Sequence, residues 1–119
     1  YLTGHSLGGA LATLASSVVE ANATYSFGAP RVGNKAFAQA LSSKHVYRIV
    51  YGRDIAPSYP HPLLGYCHGG ERWQLGSDGA LVQGSEWRDW FHFPVAKGVL
   101  DHRVANYADG LAYPRHDRR

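Results

Sequence analysis

Residues 4–8 could place a reactive hydroxyl at the start of a helix. They read Gly-His-Ser-Leu-Gly, the G-x-S-x-G pattern, between strand-forming residues and a periodic apolar segment. This context predicts a tight strand-to-helix turn whose strained backbone exposes the Ser6 hydroxyl as a nucleophile. We expect side chains at Gly4 and Gly8 to collide with the neighbouring strand and helix, and the Leu7 N–H to stabilise developing negative charge. A phosphate-binding loop is disfavoured, because the segment has neither a lysine nor a Gly-x-Gly-x-x-Gly frame.

A serine nucleophile needs a general base, and the base needs a carboxylate to orient it. In hydrolases with this turn, the chain order is serine, acid, histidine. Asp54 directly follows a strand predicted over 45–51, which places it at the same sheet edge as Ser6. Four rival carboxylates are less well placed, in a predicted turn, in an irregular stretch or directly beside the candidate histidine: Asp78, Glu86, Asp89 and Asp101.

Seven histidines compete for the role of the base. His102 is favoured because it lies where a loop ends and a last helix begins, and His92, between two phenylalanines, is the alternative. His68, beside two glycines, is interpreted as structural, and His61 is a candidate for the mouth of the site. The other three are less well placed: His5 precedes the acid, His45 starts a strand and His116 lies in the tail. No two histidines stand four apart with a carboxylate on a helix, so a metal site is disfavoured.

Alternating elements must position these side chains. Apolar spacing predicts a helix over 7–21 with an inward stripe of Leu7, Ala10, Leu11, Leu14, Ala15, Val18 and Val19. Two further helices are predicted, one over 34–43 and one around 104–111 with a stripe of Val104, Tyr107, Ala108 and Leu111. Residues 84–99 are predicted to be an aromatic loop. Strands are predicted over 23–27, 45–51, 71–75 and 80–83, the last two forming a hairpin with an Asp-Gly turn. This alternation indicates an α/β fold with a partly parallel sheet.

Composition excludes several classes of protein. The 119 residues are 45% hydrophobic and 18% charged, which fits one globular domain and excludes a disordered chain. No apolar run approaches the ~18 residues of a spanning helix. Three of the twelve basic residues lie in the last five positions, so the net charge of +3 gives little support to nucleic-acid binding. The single cysteine, Cys67, excludes an internal disulfide and a zinc site built on paired cysteines.

The start of the chain is unusual for a whole domain. Tyr1 leads directly into a short strand, and a central strand of this kind needs neighbours on both sides. We therefore expect residues 1–113 to be the C-terminal portion of a larger catalytic domain, followed by a charged tail over 114–119.

Five blocks in order resemble one family, the class 3 or fungal-type triacylglycerol lipases. They are the turn Thr3–Ala10, the segment Phe27–Phe37, the acid loop Arg53–Pro57 with Tyr59-Pro60, the segment His68–Trp73, and Asp101-His102 with Tyr107 five residues on. The resemblance implies an α/β-hydrolase fold and cofactor-free hydrolysis of lipid carboxylic esters through an acyl-enzyme. It implies that Ser6, Asp54 and His102 form the catalytic triad, and that the Leu7 N–H is one oxyanion donor.

The same resemblance implies what a longer chain would add. The family's lid, a second oxyanion donor and flanking strands lie upstream of the turn, so we expect residues 1–119 alone to be weakly active or inactive. The expected substrate is a lipid ester at a lipid–water interface, with no nucleic acid and no transmembrane segment, and the oligomeric state is open. Secretion is favoured, with a cytoplasmic location as the alternative. Two other functions are an inactive lipase-like binding or signalling domain and an esterase for non-lipid acyl esters.

Overall fold

A five-stranded sheet runs through the residues that the computed structural model describes, which are 1–84 and 95–112. The strands lie side by side in chain order: β1 (Leu2–His5), β2 (Thr24–Phe27), β3 (Val46–Tyr51), β4 (Glu71–Leu75) and β5 (Leu81–Gln83). The helices are α1 (Leu7–Ser16), α2 (Lys35–Ala40), α3 (Val95–Asp101) and α4 (Val104–Ala112).

Strands β1 to β4 are parallel and β5 is antiparallel, so the predicted α/β architecture with a partly parallel sheet is confirmed. The hairpin is also confirmed, since Gly76 N–H donates to Ala80 O across the predicted turn. Because the strands are parallel, the segments that follow β1, β2 and β3 emerge at one edge of the sheet. That edge receives Ser6, Gly28 and the loop that contains Asp54.

Helix α1 corrects two expectations. It ends at Ser16 rather than residue 21, and the predicted apolar stripe is largely exposed at Leu7, Leu11, Leu14 and Val18. Of the predicted stripe, Ala10 is buried. The buried face of the helix consists of small residues, Gly9, Ala10, Ala12, Thr13 and Ser16. The reason is the closeness of the helix to the sheet: a Cβ atom on Gly9 would lie 2.8 Å from Gly4 O and 2.9 Å from the Ala29 Cβ.

Two hydroxyls can be buried on this face because the helix itself satisfies them. Thr13 Oγ1 donates to Gly9 O at 2.9 Å, and Ser16 Oγ donates to Thr13 O at 2.6 Å. Size therefore decides which face of α1 packs on the sheet, and hydrophobicity does not.

Helix α2 is shorter than the predicted 34–43 but starts as expected. The Asn34 side chain caps it by accepting a hydrogen bond from the Phe37 N–H at 3.0 Å. Leu41, just after the helix, is almost completely buried.

The opposite face of the sheet carries the apolar core. Ile49, Leu75 and Tyr107 are buried there, and four partly buried aromatic residues pack around them: Phe27, Tyr47, Tyr51 and Trp73. Tyr107 is the residue by which α4 enters this core, while Val104 and Leu111, predicted on the same stripe, remain exposed at 58% and 42%. The predicted last helix is thus confirmed, with a narrower buried face.

Helix α3 lies where part of a loop over 84–99 was predicted. Gly98 weakens its helical signal, yet a Cβ atom there would lie 3.0 Å from both Arg53 O and Ile55 Cβ. The glycine therefore lets α3 approach the acid loop. His92, Glu86, Asp89 and the tail at 114–119 lie outside the described residues. Within the described part, none of the helices has the length and apolar character needed to cross a membrane.

Candidate active site

Ser6 occupies the sharp turn that the glycine pattern predicts. Its backbone has φ 56° and ψ −124°, a left-handed region that costs a non-glycine residue about 1–3 kcal/mol. The turn is held on both sides, because Ser6 N–H donates to Phe27 O at 2.9 Å and Ser6 O accepts from the Ala10 N–H at 3.1 Å. Leu7 is the first residue of α1, where a backbone N–H has no acceptor within the helix.

The glycines around Ser6 are only partly explained by the predicted collisions. A Cβ atom on Gly4 would overlap the backbone carbonyl of Gly8, as expected. A Cβ atom on Gly8 would meet nothing within 4 Å, so the expectation for Gly8 is wrong. The second tight position is Gly9, one residue later, because that part of the helix faces the sheet.

Asp54 is buried just beyond the end of β3, with 6% of its surface exposed. Its Oδ1 accepts a hydrogen bond from the Ala56 N–H at 2.9 Å, which closes the loop around the carboxylate. Its Oδ2 accepts one from the Tyr107 hydroxyl. The Tyr107 oxygen in turn accepts from the Tyr51 N–H at 3.1 Å.

The surroundings of Tyr107 keep its hydroxyl protonated, so that it donates a hydrogen bond to Asp54. Burial raises the pKa of its hydroxyl well above the ordinary value, and the nearby Asp54 carboxylate raises that pKa further. The hydroxyl therefore stays protonated. The sequence predicts Tyr107 on the apolar stripe of the last helix and within a family block, but it indicates no contact between Tyr107 and the acid.

Gly28 makes room for this arrangement. Its φ is +59°, and a Cβ atom there would overlap the Asp54 carboxylate and lie 2.8 Å from the Tyr107 hydroxyl oxygen. Both the backbone conformation and the lack of space require glycine at this position.

His102 joins the serine to the acid. Its Nδ1 lies 2.9 Å from Asp54 Oδ1 and 3.0 Å from Oδ2, and its Nε2 lies 2.8 Å from Ser6 Oγ. Since a carboxylate can only accept, Nδ1 carries the proton, and in the neutral ring Nε2 accepts from the serine hydroxyl. The three residues selected from the sequence are thus brought into one hydrogen-bonded chain, although up to 96 positions separate them.

Asp101, a disfavoured candidate for the acid, pairs with other groups. Its carboxylate accepts from the Arg53 N–H at 2.8 Å and pairs with Lys97 Nζ at 3.0 Å. Arg53, which precedes the acid Asp54, is therefore bonded to Asp101, which precedes the base His102. This bond lies alongside the one between Asp54 and His102. The i, i+4 spacing of Lys97 and Asp101 is a helical signal that sequence reasoning did not use.

The remaining histidines lie apart from the triad or support it. His61 Nδ1 accepts from the Leu63 N–H at 3.1 Å and closes a local turn. His5 Nε2–H donates to the backbone oxygen of His102 at 2.7 Å, a contact that sequence reasoning missed. His92 and His116 lie outside the described residues.

In the described ranges, no group of three or more His, Cys, Asp or Glu side chains could hold a metal ion.

His68 lies beneath the acid loop. Its Nε2–H donates to Pro57 O at 2.7 Å. Burial lowers the pKa of this imidazole well below 6.5, and the Arg48 guanidinium lowers it further, against the opposing effect of the Pro57 hydrogen bond. The ring is therefore neutral when the protein is folded at neutral pH.

We expect His68 to make folding sensitive to acid. Below about pH 6.5 the unfolded chain binds a proton that the folded chain does not, so the free energy of unfolding falls as the pH falls towards the folded-state pKa. Urea unfolding between pH 7.5 and pH 5 measures this slope. His68→Gln keeps an N–H donor but cannot titrate, and it should flatten the slope. An unchanged slope in His68→Gln would assign the pH dependence to other groups.

Tyr107→Phe is expected to weaken both fold and site. The change leaves the Tyr51 N–H without its acceptor and removes a donor from the buried Asp54 carboxylate, which should lower the free energy of unfolding by about 1–3 kcal/mol. The hydrolysis of esters that the family resemblance implies should also slow, because the carboxylate loses one of its restraints. Urea unfolding and kcat are the measurements, and Tyr25→Phe, on a more exposed ring of β2, is the matched control. Equal stability of the two variants would contradict this account of Tyr107.

A protein-family model matches the part of the chain that contains the turn at Ser6 and the acid loop. The family model for the class 3 lipases matches residues 1–63, which is more than half of the chain and includes Ser6 and Asp54. The chain belongs to the class 3 lipase family. The resemblance inferred from the five sequence blocks is therefore confirmed.

Curated lipases share substantial identity with part of the chain. A secreted mono- and diacylglycerol lipase of Fusarium solani is 40% identical over 73 residues, covering 56% of this chain and 22% of the relative. A secreted mono- and diacylglycerol lipase of Penicillium cyclopium is 33% identical over 92 residues, covering 71% of this chain and 30% of the relative. The chain thus spans about a quarter of the length of the curated relatives it matches.

Solved lipase structures share the fold. A lipase of Rhizopus microsporus var. chinensis matches with TM-score 0.57 and 39% identity over 61% of this chain and 29% of that one. A deletion mutant of Rhizomucor miehei lipase in complex with its propeptide matches with TM-score 0.58 and 30% identity over 95% of this chain and 38% of that one. A triacylglycerol lipase whose catalytic centre is a serine protease triad matches with TM-score 0.53 and 36% identity over 62% and 32%. The expected α/β-hydrolase fold of this class 3 lipase chain is confirmed.

Proposed function

We propose that the protein hydrolyses carboxylic esters of lipids by serine catalysis. One observation carries this proposal: the unbroken hydrogen-bonded chain from Ser6 Oγ through the His102 ring to the Asp54 carboxylate, with distances of 2.8 and 2.9 Å. A hydroxyl paired with a base that is itself oriented by a buried carboxylate is the arrangement that activates a serine.

Each side chain has a role in two half-reactions. Ser6 Oγ attacks the ester carbonyl carbon while its proton passes to His102 Nε2. The tetrahedral intermediate then collapses, and the leaving alcohol takes that proton, which leaves an acyl-enzyme on Ser6. A water molecule then attacks the acyl carbon and gives a proton to His102 Nε2. When the second tetrahedral intermediate collapses, the bond from the acyl carbon to Ser6 Oγ breaks, His102 returns the proton to Ser6 Oγ, and the fatty acid is released. Asp54 orients the ring and stabilises the imidazolium, and the Leu7 N–H supports the oxyanion.

Apolar side chains around the triad support a lipid substrate. Leu7 is 68% exposed beside Ser6, and Val99, Leu100 and Val104 are 55%, 56% and 58% exposed near His102. These surfaces suit an acyl chain better than a charged acyl group. The names of relatives as mono- and diacylglycerol lipases and as a triacylglycerol lipase support the same substrate class. Their description as secreted supports secretion of this protein.

The test combines labelling with a substrate series. The protein in its full natural length is treated with a fluorophosphonate, and the labelled peptide is mapped. Turnover is then measured on p-nitrophenyl esters of short and long acyl chains and on an emulsified acylglycerol. We expect labelling of Ser6 and hydrolysis of the emulsion. Labelling with turnover of short soluble esters alone would assign a non-lipid esterase, and neither labelling nor turnover would assign an inactive binding domain.

A further inference from the structure

The ring of His5 lies against the ring of the proposed base. His5 is the last residue of β1, and its Nε2–H donates to the backbone oxygen of His102 at 2.7 Å. The centroids of the two imidazole rings are 4.7 Å apart, at an interplanar angle of 31°. The rings of Tyr107 and His5 are in a T-shaped arrangement, with 5.6 Å between their centroids. His5 thus contacts both the base and the tyrosine that supports the acid.

The backbone of His102 has few other anchors. The residue lies in the short turn between α3 and α4, where its N–H donates to Val99 O at a long 3.3 Å. The Asn106 N–H, which could reach back to the His102 carbonyl in a regular helix, donates instead to Arg103 O at 3.0 Å. The hydrogen bond from His5 therefore supplies a donor to the His102 carbonyl, just after the end of α3.

The triad does not by itself fix this turn. Its hydrogen bonds hold the two ring nitrogens of His102, and Nε2 must exchange its serine contact for the leaving group during each turnover. A bond to the backbone persists through those steps, because it involves neither ring nitrogen of His102. Since His5 and Ser6 are consecutive, this bond also couples the base directly to the nucleophile turn.

We propose that His5 is a positioning residue that holds His102 in register with Ser6 by its hydrogen bond to the His102 backbone oxygen. The proposal rests on the proposed function, because it assigns to His102 the role of base. Small displacements of a catalytic group have large effects on rate, on the order of 10²-fold for about 1 Å.

Two substitutions separate the donor from the ring. His5→Phe keeps an aromatic ring against His102 but removes the N–H donor, and His5→Gln keeps an N–H donor but removes the ring. His45→Phe is the matched control, because His45 is exposed and lies before β3, at the opposite edge of the parallel sheet. Each variant is made in the protein of full natural length, and kcat is normalised to the sites titrated by fluorophosphonate.

The expected result is a loss in kcat that follows the donor. His5→Phe should lower kcat by about 10- to 100-fold with KM changed less than about threefold, while His5→Gln and His45→Phe stay within about threefold of the parent. A purely structural role would lower the number of titrated sites and leave kcat per site unchanged. If His5→Phe does not fold, His5→Ala is compared with His5→Gln in the same way. Equal kcat with and without the donor would overturn the proposal.

A second measurement does not depend on activity. The proton on His102 Nδ1, bonded to Asp54, should give a far-downfield proton NMR signal that disappears in His102→Gln. We expect His5→Phe to shift or broaden this signal and His5→Gln to retain it. A parent protein without esterase activity whose signal still responds to His5→Phe would refute the proposed function and support the positioning contact. A signal and a kcat that are both unchanged in His5→Phe would refute the positioning role.

Discussion

Ser6→Ala is expected to lower kcat on soluble esters by on the order of 10⁴ or more. The substitution removes the oxygen that would form the acyl-enzyme and leaves the His102–Asp54 pair with no hydroxyl to activate. It keeps the Cβ atom, so the strained turn and the bond from Ser6 N–H to Phe27 O remain. The measurements are kcat with p-nitrophenyl esters and fluorophosphonate labelling of the full-length protein.

The control for this prediction is Ser17→Ala, a serine that is exposed just after the same helix. It should keep both labelling and turnover, and both variants should melt within a few degrees of the parent. If Ser6→Ala retains more than about a hundredth of the parent rate, or if another serine takes the label, Ser6 is not the nucleophile.

His102→Ala is expected to cost a similar factor, on the order of 10⁴ or more in kcat, because the same ring serves as base and then as acid. Ser6 would lose its acceptor at 2.8 Å, and the buried Asp54 carboxylate would lose its donor at 2.9 Å. Some loss of stability should accompany the change, since a buried carboxylate is left with fewer partners. Single-turnover acylation by a p-nitrophenyl ester, measured beside the unfolding midpoint, separates the two effects.

Two other histidines provide the comparison. His68→Ala should mainly lower the unfolding midpoint and change kcat little. His68 donates to Pro57 O in the acid loop and does not contact Ser6 Oγ. His92→Ala should likewise affect mainly stability. A catalytic loss in folded His92→Ala equal to that of His102→Ala would transfer the role of base to His92.

The sequence by itself was sufficient to find the proposed triad. The glycines around Ser6 are a local signature of the turn, Asp54 follows a strand that alternation reveals, and His102 lies where the chain order of such hydrolases requires a histidine. The alternation of strands and helices also determined the parallel sheet, and hence the edge at which these residues meet. The turn, the strands and the helices depend on neighbours within a few positions, so local physics makes them readable. The choice of His102 depends instead on the chain order of such hydrolases.

Other features were decided by packing between distant parts of the chain. Helix α1 buries Gly9 and Thr13 rather than its leucines, because the space between helix and sheet admits only small side chains. Helix α3 forms despite Gly98, because that glycine fits against the acid loop. In both cases a close approach outweighs the local hydrophobic or helical preference.

The contacts that hold the triad were likewise visible only in three dimensions. Tyr107 reaches Asp54 across 53 positions, Asp101 reaches the Arg53 N–H across 48, and His5 reaches the His102 carbonyl across 97. No spacing rule relates such pairs, because the sheet order and the depth of α4 in the core set their distances. Local sequence thus determined which groups could do the chemistry, and tertiary packing decided which neighbours hold those groups in place.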